Sequence, residues 1–462
     1  MFNKETYVSR RQRLAEKFNS GVLLFLGNSE APANYADNTF AFRQDSTFLY
    51  YFGLDIPDFA AIIDIDNNRQ IVFGNDVEID DIIWMGPQKS VAEQAAEVGV
   101  TESQPFAKLA EYLATAADAK RRIHYLPPYR NHNKILLNSM LGIPFAALKE
   151  QASVEFIKAV ASMRLIKEQC EIEEIDRACN LGYDMHYAAM KAMKCGKVEQ
   201  ELVGVMEGIV RMNGYMPSFP IILSQNGETL HNHRHHQVLT EGRLCVIDAG
   251  AELQSHYASD FTRTLPCSGK FTQQQKEIYT IVSNANNKAL EISRPGITYK
   301  EVHLAAATVI VEGLKSLGLV HGDTESAVAD GVQGLFMPHG LGHNMGRDVH
   351  DMEDLGENYV GYEEGQTRAR QLGLGSLRMA RTLVPGHVIT DEPGIYFIPA
   401  LIEQWKANGT NAQYIDFEKL KAYYNFGGIR LEDDLLITET GARLLGDRRL
   451  PITVEDVESE MA

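Results

Sequence analysis

Four acidic residues sit inside apolar, strand-like stretches in the second half of this chain. They are Asp248 in CVIDAG, Asp260 in ASDFTRT, Glu392 in TDEPGIY and Glu432 in IRLEDDLLI. An ionised carboxylate among core side chains is costly unless it is paired, protonated or bound to a cation. Taken singly, each has a bland explanation in a strand-end turn or a salt bridge. Taken together, four in one region favour a shared cation. A chain that shares a cation among them must fold so that these strands meet.

A second signal is MPHGLGHNMGRDVHD, which holds His339, His343 and His350. Its glycines, Gly340, Gly342 and Gly346, argue against a regular helix, and no HExxH motif occurs. A lone histidine here is more often a core or loop residue than a ligand. Combined with the carboxylates the reading changes, because two divalent cations balance four carboxylates and one neutral imidazole. An oxygen-rich shell with one nitrogen favours Mn²⁺ or another borderline-to-hard ion over a thiolate-type zinc site. Two such ions ~3.5–4 Å apart are suited to activating water for hydrolysis. A third signal is the histidine-rich stretch LHNHRHHQV, which packs His231, His233, His235 and His236 together and by count alone reads as a metal site.

The chain has 462 residues, long enough for two domains. Hydrophobic content of 44% and charged content of 23% fit a globular protein. With 44 Lys and Arg against 62 Asp and Glu, the net charge is −18, which makes nucleic acid and anionic membrane poor partners. No signal peptide and no membrane span are expected. Cys170, Cys179, Cys195, Cys245 and Cys267 show no CxxC spacing and read as reduced thiols of a cytoplasmic protein.

Along the chain, GVLLFLG (21–27) and AAIIDID (60–66) read as strands, 90–98 and 106–117 as helices, and 127–150 as a loop-rich stretch. From Glu155 to Cys195 there is almost no helix breaker. Apolar or small residues recur there at Ile172, Ile175, Cys179, Gly182, His186, Ala189 and Met193, steps of three and four that mark one helical face. A second helix is expected over 198–213, ending at Gly214. ILSQNGETLH carries an Asn-Gly hairpin signal, and RLCVIDAGAEL and ASDFTRTLP read as strands joined by a short turn. Residues 273–292 and 298–318 read as helices, HVITDEPGIYF and GIRLEDDLLIT as strands.

VIDAG, SDFTRT, HGLGH followed by VHD, DEPGIY and GIRLEDD occur in the order found in the pita-bread metallopeptidases that include aminopeptidase P and prolidase, and FRQDSTFLYYFGL resembles that family's N-terminal domain. The resemblance covers nearly the whole chain. It implies an α+β protein with a smaller N-terminal α/β domain (1–158) and a C-terminal pita-bread catalytic domain (159–462). It implies that Asp248, Asp260, His343, Glu392 and Glu432 hold two divalent ions, with Asp260 and Glu432 bridging and Glu392 acting as general base. It gives His339 and His350 the task of contacting substrate and stabilising the tetrahedral intermediate, makes Arg430 an active-site arginine, and places His231 at the proline end of the substrate. His233, His235 and His236 are left as loop or strand-edge residues. One departure stands out: Asp248 and Asp260 are 12 apart, one more than the family spacing, so the turn AELQSH must absorb a residue or side-chain alternation turns one aspartate away.

The stretch GLGSLRMAR and the insertion 399–424 resemble the prolidase branch, in which an arginine at the position of Arg378 pairs with the carboxylate of an Xaa-Pro dipeptide. The alternative is an aminopeptidase P acting on longer Xaa-Pro peptides. Some relatives are binding proteins that have lost the ligands, whereas all five ligand positions are filled here. Proline-containing peptides are the expected partners, and the resemblance implies a homodimer.

Overall fold

The computed structural model describes all 462 residues, Met1–Ala462. The chain divides into two compact units, Met1–Arg164 with Asp354–Tyr359, and Leu165–Glu353 with Val360–Ala462. The division falls after Arg164, at the end of the helix Val154–Arg164, rather than at residue 158 within it.

In the first unit a five-stranded mixed sheet runs in the order Glu102–Gln104, Arg69–Phe73, Ala60–Asp64, Val22–Leu26, Ile123–His124. The two expected strands form Val22–Leu26 and Ala60–Asp64, which pair antiparallel. Both are buried along nearly their whole length, which is why they read as continuous apolar runs. The stretch FRQDSTFLYYFGL becomes the helix Ser46–Phe52, all seven residues of which are buried. Asp45 caps it by accepting from the Phe48 N–H, and Gly53 ends it at φ 63°. The loop expected over 127–150 instead contains the helix Asn131–Leu141. Only Asn133 and Leu137 of that helix are buried, so its sequence carries little helical periodicity.

The helix expected as one piece from Glu155 to Cys195 is two: Val154–Arg164, which belongs to the first unit, and Gln169–Ala192, which belongs to the second. A capping box starts the latter helix: the Glu168 backbone N–H donates to Glu171. A helix former can also be a cap, and composition does not separate the two roles. Glu199–Asn213, Gln273–Ile292 and Tyr299–Ser316 follow, the last two opened by capping boxes at Thr272 and Thr298.

These helices bury one face against short sheets. One sheet joins Phe261–Pro266, Leu244–Ala249 and Ile222–Ser224; another joins Val388–Asp391, Asp433–Ile437 and Ala442–Leu444; a pair joins Gly394–Tyr396 and Gly428–Arg430. Met185, Leu202, Ile278, Val302, Ile310, Ile389 and Leu435 belong to the shared core. An isolated bridge between Thr262 and Glu432 stitches the sheets together. The Asn226–Thr229 turn forms, but its arms are not a hairpin: Ile222–Ser224 pairs with Leu244–Ala249 instead. The insertion 399–424 supplies the helices Pro399–Asn408 and Phe417–Leu420. No helix is long and apolar enough to cross a membrane, and all five cysteines are free thiols.

Candidate metal centre

The register of two strands decides where the first two aspartates go. Asp248 pairs with Thr262 across the antiparallel ladder. Asp260 lies two residues before Thr262, so alternation puts both aspartates on one face. The extra residue is taken up beyond the ladder, in a turn where His256 adopts φ 60° and donates from Nδ1 to Glu252. Gly250 allows the crossing, since a Cβ there would lie 1.7 Å from the Ser259 carbonyl oxygen.

His343 is fixed by the neighbouring strand. Its N–H donates to Thr390 Oγ1 at 3.1 Å, and its carbonyl accepts from the Thr390 N–H at 3.0 Å. Gly342 makes room, as a Cβ there would meet the Thr390 carbonyl oxygen at 2.1 Å. The segment is non-helical, as its glycines imply. Glu392 directly follows the strand Val388–Asp391, and Glu432 sits between Gly428–Arg430 and Asp433–Ile437.

Asp260, His343 and Glu432 are buried, with ligand atoms all within 4.8 Å of one another. His343 Nδ1 donates to the Asn344 carbonyl oxygen at 3.0 Å, which leaves the Nε2 lone pair facing Asp260 Oδ2 at 3.5 Å and Glu392 Oε1 at 4.0 Å. A lone pair set against carboxylate oxygens is repulsive unless a cation lies between them. One oxygen each of Asp248 and Asp260 is buried without a hydrogen-bond partner. Native structures rarely leave such atoms unsatisfied, so this donor set fits a divalent ion.

The electrostatics agree. Burial first, then repulsion from Glu432, Asp248, Asp434 and Glu392, pushes the Asp260 carboxyl well above its ordinary range. Glu432 is raised likewise by burial, Glu392 and Asp248. Glu392 is pushed up to about 7 by desolvation and Asp248, with Arg430 and Arg378 opposing. Its side chain keeps 19% of its surface accessible, against 11% for Asp248 and 6% for Asp260, so it is the most accessible of these acids. Burial, and then the neighbouring His350, drives His343 well below its ordinary value, which keeps it a neutral donor.

Arg430 forms an ion pair with Asp248, donates from Nε to Thr262 Oγ1 at 3.1 Å, and donates from Nη1 to the Tyr396 hydroxyl at 2.7 Å. Thr262 in turn donates to Glu432 Oε2 at 2.7 Å. His339 donates from Nδ1 to the Gly340 carbonyl oxygen and accepts at Nε2 from Tyr396, 3.0 Å away. Its Nδ1 is 3.8 Å from Glu392 Oε2. Burial, with Arg430 second, lowers it to about 3, so it is neutral. The His350 ring lies 4.2 Å from that of His343, centre to centre, and its Nδ1 is 2.6 Å from Glu353 Oε2. Arg378 Nη2 is 3.5 Å from Glu353 Oε1.

Of the histidine-rich tract, His231 lies on an exposed turn, and desolvation followed by the field of Arg430 lowers its pKa. His233 and His236 lie exposed in an irregular segment, and His235 Nδ1 donates to the Leu223 carbonyl oxygen at 3.0 Å. Three polar residues of the site escape sequence reasoning: Tyr396, Thr262 and Glu353. Tyr396 and Thr262 belong to the strand motifs already noted, DEPGIY and SDFTRT, but as uncharged residues they gave no burial-cost signal. Glu353 lies in an ordinary acidic run.

Residues 173–439 match the model of metallopeptidase family M24, and residues 7–124 match that of the aminopeptidase P N-terminal domain. The human Xaa-Pro dipeptidase is 30% identical over 99% of this chain and 93% of its own length. A probable Xaa-Pro aminopeptidase of Uncinocarpus reesii is 30% identical over 98% of this chain and 92% of its own length. Among solved structures, a zinc-substituted Escherichia coli aminopeptidase P in complex with product superposes with a TM-score of 0.80 at 27% identity, covering 100% of this chain and 98% of that one. The two-unit α+β architecture is thus that of the aminopeptidase P fold, and the chain belongs to metallopeptidase family M24.

Proposed function

We propose that this protein hydrolyses the Xaa-Pro peptide bond of dipeptides. The observation that carries the reading is the position of Arg378, whose guanidinium is tied through Glu353 to His350, which packs on His343 of the acidic cluster. A planar cation held beside a metal-type site is suited to gripping the free carboxylate of a terminal proline. The Xaa-Pro amide has no N–H, so recognition must come from groups on either side of the bond.

In this reading Asp248, Asp260, His343, Glu392 and Glu432 would hold two divalent ions, with Mn²⁺ favoured by the oxygen-rich donor set. When bound, such ions supply Lewis-acid polarisation of the scissile carbonyl and make a nucleophilic water more acidic. Glu392 takes the water proton on its accessible carboxylate and returns it to the departing proline nitrogen. His350 and His339 line the reacting carbonyl. Arg378 binds the proline carboxylate, and His231 closes over the proline end. Arg430 pairs with Asp248 and, through Thr262, orients Glu432.

A second reading, removal of the first residue from longer Xaa-Pro peptides, is favoured by the full-length likeness to aminopeptidase P. Steady-state hydrolysis of Gly-Pro and Gly-Pro-Pro separates the two. The dipeptidase reading expects turnover of Gly-Pro alone. It also expects Arg378→Ala to raise KM for Gly-Pro by about 10- to 100-fold, the worth of a charge-assisted hydrogen bond. Comparable turnover of Gly-Pro-Pro by the unaltered protein establishes the aminopeptidase reading instead.

A further inference from the structure

Glu353 takes no part in the chemistry above, yet it joins two residues that do. Its two oxygens are unequally engaged. Oε2 accepts from His350 Nδ1 at 2.6 Å, a short, charge-assisted contact. Oε1 stands 3.5 Å from Arg378 Nη2, beyond good hydrogen-bond length. Their side chains keep 40% (Glu353), 33% (His350) and 36% (Arg378) of their surface accessible, so this is no sealed core network. Loose ion pairs at such exposure are worth little and exchange easily.

We propose that Glu353 is a positioning residue that fixes His350 through its tight oxygen and, through its loose one, occupies Arg378 until a substrate carboxylate takes that place. The inference rests on Arg378 being the carboxylate clamp. The tight contact keeps the Nδ1 proton toward Glu353 and turns the opposite edge of the ring to the site. The loose contact has the charge and oxygen geometry of a peptide C-terminus, so an arriving dipeptide competes with it for the guanidinium. Exchange costs the substrate part of its binding energy but leaves the His350 contact intact. Binding of the chain end and placement of the histidine are thereby joined through one side chain. Glu353 also keeps the guanidinium compensated before substrate arrives, and its carboxyl is held below the ordinary range chiefly by the His350 hydrogen bond.

The test is steady-state kinetics of the Mn²⁺-loaded protein with Glu353→Gln, Glu353→Asp, Arg378→Ala and the double variant Glu353→Gln with Arg378→Ala. Glu353→Gln should lower KM for Gly-Pro about 3- to 10-fold, since the competing charge is gone, and lower kcat about 10-fold, since His350 loses its ionic partner. In the Arg378→Ala background the KM effect should vanish while the kcat effect persists. Glu353→Asp, which keeps the charge, should recover part of kcat. A merely structural role predicts a rise in KM or a uniform loss of kcat/KM with a lower melting temperature, and either result overturns the proposal. If Arg378→Ala raises KM for Gly-Pro but Glu353→Gln shows no split, this inference alone fails. If Arg378→Ala leaves KM unchanged, the clamp reading fails and takes the inference with it.

Discussion

Replacing Glu392 by glutamine is expected to lower kcat for Xaa-Pro hydrolysis by about 10²–10⁴-fold, the range of a lost general base. The side chain projects from just beyond the strand Val388–Asp391, with one oxygen 4.0 Å from His343 Nε2 and the other 3.8 Å from His339 Nδ1. Enclosure and the Asp248 charge push its carboxyl up to about 7, where it can both accept and release a proton near neutrality. It is also the most accessible acid of the set. Glutamine preserves shape and an oxygen donor, so a fall in kcat with metal content unchanged isolates proton transfer from ligand loss. Near-wild-type turnover in that variant contradicts the assigned role.

The second large effect is a pH-dependent response to metal. In the metal-free protein Asp260, Glu432 and Glu392 all have carboxyls raised above their unfolded values. A folded-state value above the unfolded one contributes stability at low pH that is lost as pH rises. For Glu392 the window runs from its unfolded value, ~4.3, up to its folded value of about 7. Metal binds the deprotonated forms and displaces those protons, so its affinity grows over the same window. The expected result is a metal-induced rise in Tm that is small at pH 5 and large at pH 8. With ligand at 100 times its Kd the stabilisation reaches about 2.7 kcal/mol. Thermal melts with and without Mn²⁺ across this range check it. An increment independent of pH, or larger at pH 5, contradicts the account.

How much of this was legible in the sequence follows from what each residue costs where it sits. The four carboxylates were conspicuous because charge in an apolar strand demands a reason, and the structure brings Asp260, Glu432 and His343 together and sets Glu392 against His343. The glycine-rich HGLGH segment was legible as non-helical, and the reason is now visible in the contact of Gly342 with Thr390. The consequence of the longer Asp248–Asp260 spacing was not legible. It depended on whether the surplus residue fell inside the ladder or in the turn at His256, a matter of register that composition does not encode. Helix boundaries failed where one residue type serves two purposes, as Glu168 does in capping Gln169–Ala192. The helix Asn131–Leu141 escaped because it buries so little. The histidine-rich tract was conspicuous by count alone; His233 and His236 lie exposed and His235 bonds to the Leu223 carbonyl oxygen. Glu353 was invisible for the opposite reason: an acidic residue in a polar loop carries no anomaly until its neighbours in space are known.

The central claim is that this acidic cluster holds the divalent ions on which hydrolysis depends. The most direct measurement strips the protein with a chelator, restores Mn²⁺ stepwise, and follows bound metal per chain together with Gly-Pro hydrolysis. The account predicts that activity disappears on stripping and returns as two ions per chain are taken up, with Asp260→Asn and His343→Ala unable to recover either. Turnover that survives complete removal of metal, or a stripped protein that binds no divalent ion, would contradict it.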